Sequence, residues 1–292
     1  MKVVLGRDDL AQAALGAARQ AGAPAERLDV SPVYKAAKGF VNESSPDVCE
    51  IPIVTLLQAT AYGKPVVLLP ITAHGRYQHQ TLVSLSGLTT ADLLGRRIGV
   101  RSWGQTTGVW LRGFLTEQYG VDLRASEWFA YEDGHVYEHR DPDWVHRPPQ
   151  GAKLAADFLE GRLDLGILGN ELPKDDRISP AIADAQQAAE AWSRAKGFIP
   201  INHVVGVNEQ TAHDYSAAIL AAYDAMREVS EAAAEPGPIA KHPVGFSALR
   251  GPFTQAAAYA VEQGVLPKPV EFDQLIDRSC AALGVPASRL GG

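Results

Sequence analysis

Two cysteines in 292 residues, Cys49 and Cys280, are too few and too far apart for a disulfide framework, and no Cys-x-x-Cys spacing offers a zinc or redox site. Both are expected to be small buried apolar residues. Long apolar runs are missing as well. The longest uncharged apolar stretch, IPIVTLLQATAYG at 51–63, is too short and too polar to cross a bilayer. No block of consecutive Lys or Arg supplies a phosphate track, and 27 Lys+Arg against 34 Asp+Glu leave a formal net charge of -7, which argues against a nucleic-acid partner. GxGxxG after a strand, GxxxxGK[ST], HExxH and GxSxG are all absent, so nucleotide, zinc-protease and serine-hydrolase templates lack support.

What is present reads as a globular α/β protein. A hydrophobic content of 46% with 21% charge is ordinary, and the length suits two lobes better than one small core. KVVLG at 2–6 reads as a buried strand and DDLAQAALGAARQAG as a helix. No basic, apolar or small-residue leader pattern precedes them, so a cytoplasmic location is expected. Further strands are expected in VCEIPIV, KPVVLLPI, RRIGV, SEWFAY, LDLGILG and INHVVGV. Helices are expected at 8–21, 52–62, 106–119, 151–161, 182–197, 209–234, 252–263 and 273–283. The 48–57 stretch fits either pattern. This alternation points to α/β layers with largely parallel sheets. Crossings near 96–100 and 198–204 divide the chain into one discontinuous lobe, 1–97 plus 205–292, and a second, 98–204. The cleft between them is where strand ends and helix N-termini would meet a ligand.

Three polar clusters interrupt the apolar pattern. In VRSWGQTTGVWLRGFL, 100–115, Thr106 or Ser102 could cap a helix, yet the polar groups exceed what one cap requires. Arg101 presents a fork suited to a carboxylate, Ser102, Thr106 and Thr107 add hydroxyls, and Trp103 could stack on a flat substrate. The plain alternative is a capped helix beside a solvated arginine. In ITAHGRYQHQT, His74, Arg76, Tyr77 and His79 crowd a strand exit; Arg76 suits an anion and either histidine suits proton movement, against a solvated turn. YEDGHVYEHRDPDWVHRPP carries Glu132, Asp133, His135, His139 and His146. His135 and His139 would share a helix face at metal-compatible spacing, but RDPDW and RPP favour a loop. Glu171 in LGNELP and His203 near the second crossing are further candidates, each with an equally good reading as a turn or a satisfied buried residue.

RIGVRSWGQTTGVWLRGFLTEQYGVDL at 97–123, YEDGHVYEHRDP at 131–142, LDLGILG at 163–169 and FIPINHVVGVNEQ at 198–210 together resemble the 4,5-dihydroxyphthalate decarboxylase family of the type II periplasmic-binding-protein-like superfamily. The resemblance implies two α/β lobes joined by two crossing strands around a central cleft. It implies a carboxy-lyase acting on a hydroxylated aromatic dicarboxylate by protonating a ring carbon before CO2 leaves. On that expectation Arg101, Ser102 and Thr107 hold one carboxylate and Arg76 the other. His135 or His79 donates the proton, Glu132 or Glu171 orients a partner, Trp103 covers the ring, and His74, Thr106 and His203 contact substrate. No cofactor is required by that chemistry, with a divalent metal left open; the partner is a small aromatic carboxylate, with homo-oligomers left open and no membrane partner. Two alternatives share the cleft: a non-catalytic solute-binding protein for a small carboxylate, and a lyase of another cyclic acid.

Overall fold

The computed structural model describes residues 1–169, 172–234 and 237–292, and its strands form two mixed sheets. The first contains β1 (Lys2–Val4), β2 (Glu26–Arg27), β3 (Val48–Pro52), β4 (Val66–Gly75) and β11 (Ile201–Asn208), in the order β2-β1-β3-β11-β4. The second contains β5 (Leu82–Ser84), β6 (Arg97–Val100), β7 (Glu127–Ala130), β8 (Val145–His146), β9 (Leu165–Ile167) and β10 (Ser179–Pro180), in the order β10-β5-β9-β6-β7-β8. Five strand pairings are parallel and four antiparallel among the described residues, so the sheets are less parallel than expected. The cause is the chain's return. β11 re-enters the first sheet between β3 and β4 and runs antiparallel to both.

The chain changes sheet between β4 and β5, and again between β10 and β11. The first change therefore precedes residue 82, whereas the sequence expectation placed it near 96–100, inside what is β6. β5 is only three residues long and carries no period of its own. The two linking segments touch: Arg76 N–H donates to the Pro200 carbonyl at 3.1 Å.

The ambiguous stretch at 48–57 is both elements in succession, β3 followed directly by helix α3 (Ile53–Ala61). Helix α1 (Asp8–Gln20) buries Leu10, Ala11, Ala14, Leu15 and Ala18 on one face and carries Asp8 and Asp9 in its first turn, where acidic groups favour the helix dipole. α2 (Ala37–Glu43) was not anticipated; α5 (Leu154–Leu159) and α6 (Ala185–Lys196) were. The expected helix at 209–234 is two, α7 (Glu209–Asp214) and α8 (Ser216–Ala232), broken at Tyr215, where the Ser216 hydroxyl turns to donate to the Leu283 carbonyl. α9 (Phe246–Glu262) begins six residues before the expected start and carries Pro252 within it. α10 (Phe272–Leu283) closes the order of helices.

Helix α4 (Thr106–Tyr119) follows β6 of the second sheet and reaches the first through Trp110, whose indole N–H donates to the Ile201 carbonyl at 2.9 Å. Every residue from Thr106 to Leu115 is buried, which no single amphipathic face allows. Its N-cap is Gln105, with no side-chain cap, so neither Ser102 nor Thr106 caps it; the Thr106 hydroxyl instead accepts the Val54 N–H of α3 at 3.4 Å. It ends at Gly120, φ +63, a left-handed position that glycine takes without strain. Around it Trp110, Phe114, Trp192, Phe198 and Tyr259 form an aromatic cluster joining α4, α6 and α9. Gly113 meets the Tyr259 ring so closely that a Cβ there would lie 2.1 Å from Cδ2. Gly113→Ala should therefore destabilise the fold by about 1–3 kcal/mol, as overpacked cores do, measured by denaturant unfolding; an unchanged midpoint would show that the ring can move aside.

Candidate functional site

A cavity of about 400 Å³ opens between the two sheets, a size suited to one substituted ring. It is built from two strand–helix junctions and the two linking segments. From the first sheet, Pro52 and Thr55 bring the start of α3; from the second, Gly104, Gln105, Thr106 and Thr107 bring the start of α4. First-turn N–H groups lack acceptors within their own helix, so two helix N-termini of favourable sign converge on one space. The ends of β4 and β11 contribute His74, Arg76, Asn202 and His203, while Tyr34, Lys35, Arg101 and His135 close the remaining side. Among the described residues, no Asp or Glu lines this cavity.

Its side chains are held from behind. The Arg101 guanidinium lies 3.8 Å from the centre of the Tyr34 ring. Asn202 donates to the Thr107 hydroxyl at 3.3 Å and accepts a hydrogen bond from Gln78. His135 Nδ1 is 2.8 Å from the Thr55 hydroxyl, and its backbone carbonyl accepts from Asn42 at 2.7 Å. His203 Nδ1 is 2.7 Å from Glu50 Oε1, and Gly6 N–H donates to Glu50 Oε2 at 2.8 Å. Burial pushes the Glu50 carboxyl upward, but the hydrogen bond and charge of His203, together with Gly6 N–H, outweigh it and leave the group below its ordinary range. Burial holds both His74 and His135 down at about 4, helped by the His203 and Arg76 charges at His74 and by Arg101 at His135. Arg76 is also lowered by burial.

Of the residues singled out from sequence, His74, Arg76, Arg101, Thr106, Thr107, His135 and His203 line the cavity together. Ser102 and Glu132 line a neighbouring outer hollow that shares Tyr34, Lys35, Arg101 and His135 with it. Trp103 does not cover a ligand: it is fully buried, donates to the Gln263 carbonyl at 2.9 Å and stacks on Arg112. His79 is likewise fully buried, stacked on Phe114 with ring centres 4.2 Å apart and 2.7 Å from Gln118 Oε1, so it cannot serve as the proton donor expected of it. His135 and His139 lie in a loop without helical phase; His135 faces the cavity while His139 packs 3.4 Å from Asp141. Among the described residues no group of three or more His, Cys, Asp or Glu gathers as metal ligands. Glu171 lies outside the described residues. Sequence reasoning missed Tyr34, Lys35, Thr55, Asn202 and Glu50; only Glu50, an acid within the buried run VCEIP, left a readable sign.

The chain has similar proteins of known name. The 4,5-dihydroxyphthalate decarboxylase of Comamonas testosteroni is 30% identical over 185 residues, 58% of this chain and 56% of that protein. The Pseudomonas putida protein of the same name is 27% identical over 168 residues, 52% of this chain and 65% of that protein. This chain resembles the 4,5-dihydroxyphthalate decarboxylases. The likeness spans a little over half to about two thirds of the length of these relatives, and no family profile matches the chain. Among solved structures, the periplasmic sulfonate-binding protein SsuA of Methylobacillus flagellatus superposes with a TM-score of 0.53 at 13% identity, covering 97% of this chain and 94% of that one. The alkanesulfonate-binding protein SsuA of Xanthomonas axonopodis superposes with a TM-score of 0.50 at 14% identity, covering 94% and 96%. At such identities the likeness is one of fold: the two-lobed α/β architecture of periplasmic binding proteins. No helix among the described residues is long and apolar enough to cross a membrane.

The two depressed histidines make stability depend on pH with a definite sign. Their folded-state values of about 4 lie below the ordinary 6.5, so the unfolded chain binds more protons between these limits. Their contribution is fully present above about pH 6.5 and is lost as pH falls through about 4. A His74→Asn/His135→Asn variant should lose less stability than the wild type between pH 7.5 and 5, measured by urea unfolding. Parallel losses would remove these histidines as the cause.

Proposed function

We propose that this protein is a decarboxylase of a hydroxylated aromatic dicarboxylate, with 4,5-dihydroxyphthalate the foremost substrate to test. The observation that carries the reading is the cavity itself: two guanidiniums, three imidazoles and two helix N-termini with no described acid in the lining, in a chain similar to named decarboxylases. An aromatic dianion satisfies that charge. Arg76 and Arg101, rooted on the two sides of the cleft, suit one carboxylate each, and Thr106 and Thr107 supply hydroxyls beside the α4 N-terminus.

Loss of CO2 directly from a ring would leave an electron pair on carbon with nowhere to go. A hydroxyl para to the departing group solves this. A proton added to the carbon that bears the carboxylate turns the ring into a dienone, from which CO2 leaves as the ring regains aromaticity. The chain must then bind the carboxylates, hold the ring still and supply one proton. The low-dielectric cavity strengthens every charge interaction involved. Because the hydroxyl serves as the electron sink, no cofactor is required by this chemistry.

The second reading, a solute-binding protein for a small carboxylate, is favoured by the fold shared with sulfonate-binding proteins. Incubation with 4,5-dihydroxyphthalate and related hydroxylated acids separates the two. Release of CO2 is expected, at a rate unchanged by a chelator. Tight binding of the whole panel without product would establish the binding protein instead. For the decarboxylase, Arg76→Ala and Arg101→Ala should each raise KM about 10–100-fold, the worth of a hydrogen-bonded charge; unchanged KM in both would place the carboxylates elsewhere.

A further inference from the structure

Resting on that reading of the cavity, we infer that His203, oriented by Glu50, is the acid that protonates the ring carbon. Three histidines reach the cavity, and their partners differ in kind. His135 has a neutral partner, the Thr55 hydroxyl at 2.8 Å. His74 stands with its ring centre 6.2 Å from that of His203 and close to the Arg76 guanidinium. His203 alone of the three has a carboxylate in hydrogen-bond contact, Glu50 Oε1 at 2.7 Å.

The strand register explains the pairing. Val205 on β11 lies opposite Glu50 on β3, and His203 lies opposite Pro52, so Glu50 and His203 project from the same face two residues apart along the ladder. His203 is also paired with His74 across β4. The groups facing the His203 ring are thus Glu50 from β3, His74 and Arg76 from the end of β4, and His135 across the cavity. Glu50 is the one anion among them. It is buried, and Gly6 N–H fixes its second oxygen at 2.8 Å, so it keeps its charge and its orientation. Because Nδ1 is committed to Glu50, Nε2 is the ring nitrogen available to the cavity. A carboxylate behind an imidazole sets its tautomer and stabilises the imidazolium, which is the arrangement a general acid needs.

The imidazolium Nε2–H bond breaks and its proton joins the ring carbon bearing the departing carboxylate, using a ring π pair. The para hydroxyl gives its proton to solvent as its oxygen becomes the dienone carbonyl. The carbon–carboxylate bond then breaks, its electron pair restores the aromatic ring, CO2 leaves and the phenolate oxygen takes a proton back from solvent. His203 is left neutral and regains its proton from water. The net change is one carboxylate and one proton converted to one ring C–H and CO2.

The test pairs turnover with binding of phthalate, which offers both carboxylates but no hydroxyl and so cannot react. His203→Gln should lower kcat about 10²–10⁴-fold while phthalate affinity by calorimetry stays within about threefold. Glu50→Gln should move the alkaline limb of the kcat profile to lower pH by on the order of one unit, because the imidazolium loses its anion. A His203→Gln protein that keeps kcat within tenfold overturns the assignment, as does a Glu50→Gln profile that does not move. Should His203→Gln lose phthalate binding as well, the Glu50→Gln profile decides alone, a shifted limb upholding the assignment. A wild-type protein that turns over none of the hydroxylated acids defeats the decarboxylase reading and this inference together. Turnover that survives both substitutions defeats only the inference.

Discussion

The buried guanidinium of Arg112 is the constraint on which the cleft depends. It sits on α4, fully out of water, and its hydrogen bonds go to neutral oxygens: Gln263 Oε1 at 2.8 Å and the Trp103 carbonyl at 2.5 Å. Its planar face lies 3.6 Å from the Trp103 ring. Burial lowers its pKa to about 9, which still leaves it charged at neutral pH. A charge in such a place costs several kcal/mol unless its partners are held in position, so the partners cannot slacken. Gln263 completes the lock by donating to the Val109 carbonyl at 2.9 Å and accepting from the Trp103 indole. α9, from the C-terminal part of the chain, is thereby fastened to the turn that leads into α4. That turn is the floor of the cavity.

The rest of the site follows from this fixed floor. From Thr106 to Leu115 α4 is buried on every side, with Arg112 its one charge, and its N-terminus is then the natural place for polar groups to emerge. Thr106 spends its hydroxyl on the first turn of α3 and Thr107 accepts from Asn202, so the two helix N-termini and the start of β11 are joined by side-chain hydrogen bonds. The link after β4 adds Arg76, and the first residues of β11 add His203, close to the points where the chain passes from one sheet to the other. Function here is a property of the junctions, and the strands and helices serve to aim them.

Much of this was legible in the sequence, and what was not failed for physical reasons. Arg101, Thr106 and Thr107 announced themselves as more polar groups than a helix start needs. His74 and Arg76 stood out after a long apolar strand. Composition along the chain reveals such clusters but not the direction a side chain faces. Trp103 lies among ligand-facing residues and turns inward to cover Arg112; His79 lies three residues from Arg76 and packs on Phe114. Glu50 left a sign, an acid in an apolar run, but not its meaning. A single acid in a strand of five buried residues is outvoted by its neighbours, and its partner is 153 residues away. The change of sheet at β5 was unreadable because a three-residue strand has no period.

The same cleft could serve capture or chemistry, and the distinction rests on how its imidazoles differ. A carrier gains from uniform donors, since any ordered positive or N–H group attracts a carboxylate. A proton-transfer site needs groups whose protonation states are pushed apart. Here burial and neighbouring cations hold His74 and His135 neutral at pH 7, while a buried, doubly hydrogen-bonded carboxylate stands behind His203. Binding alone would gain nothing from placing that carboxylate there, because it opposes the charge that attracts an anion. Its position makes sense if one imidazole must carry a proton into a space that otherwise keeps its histidines neutral.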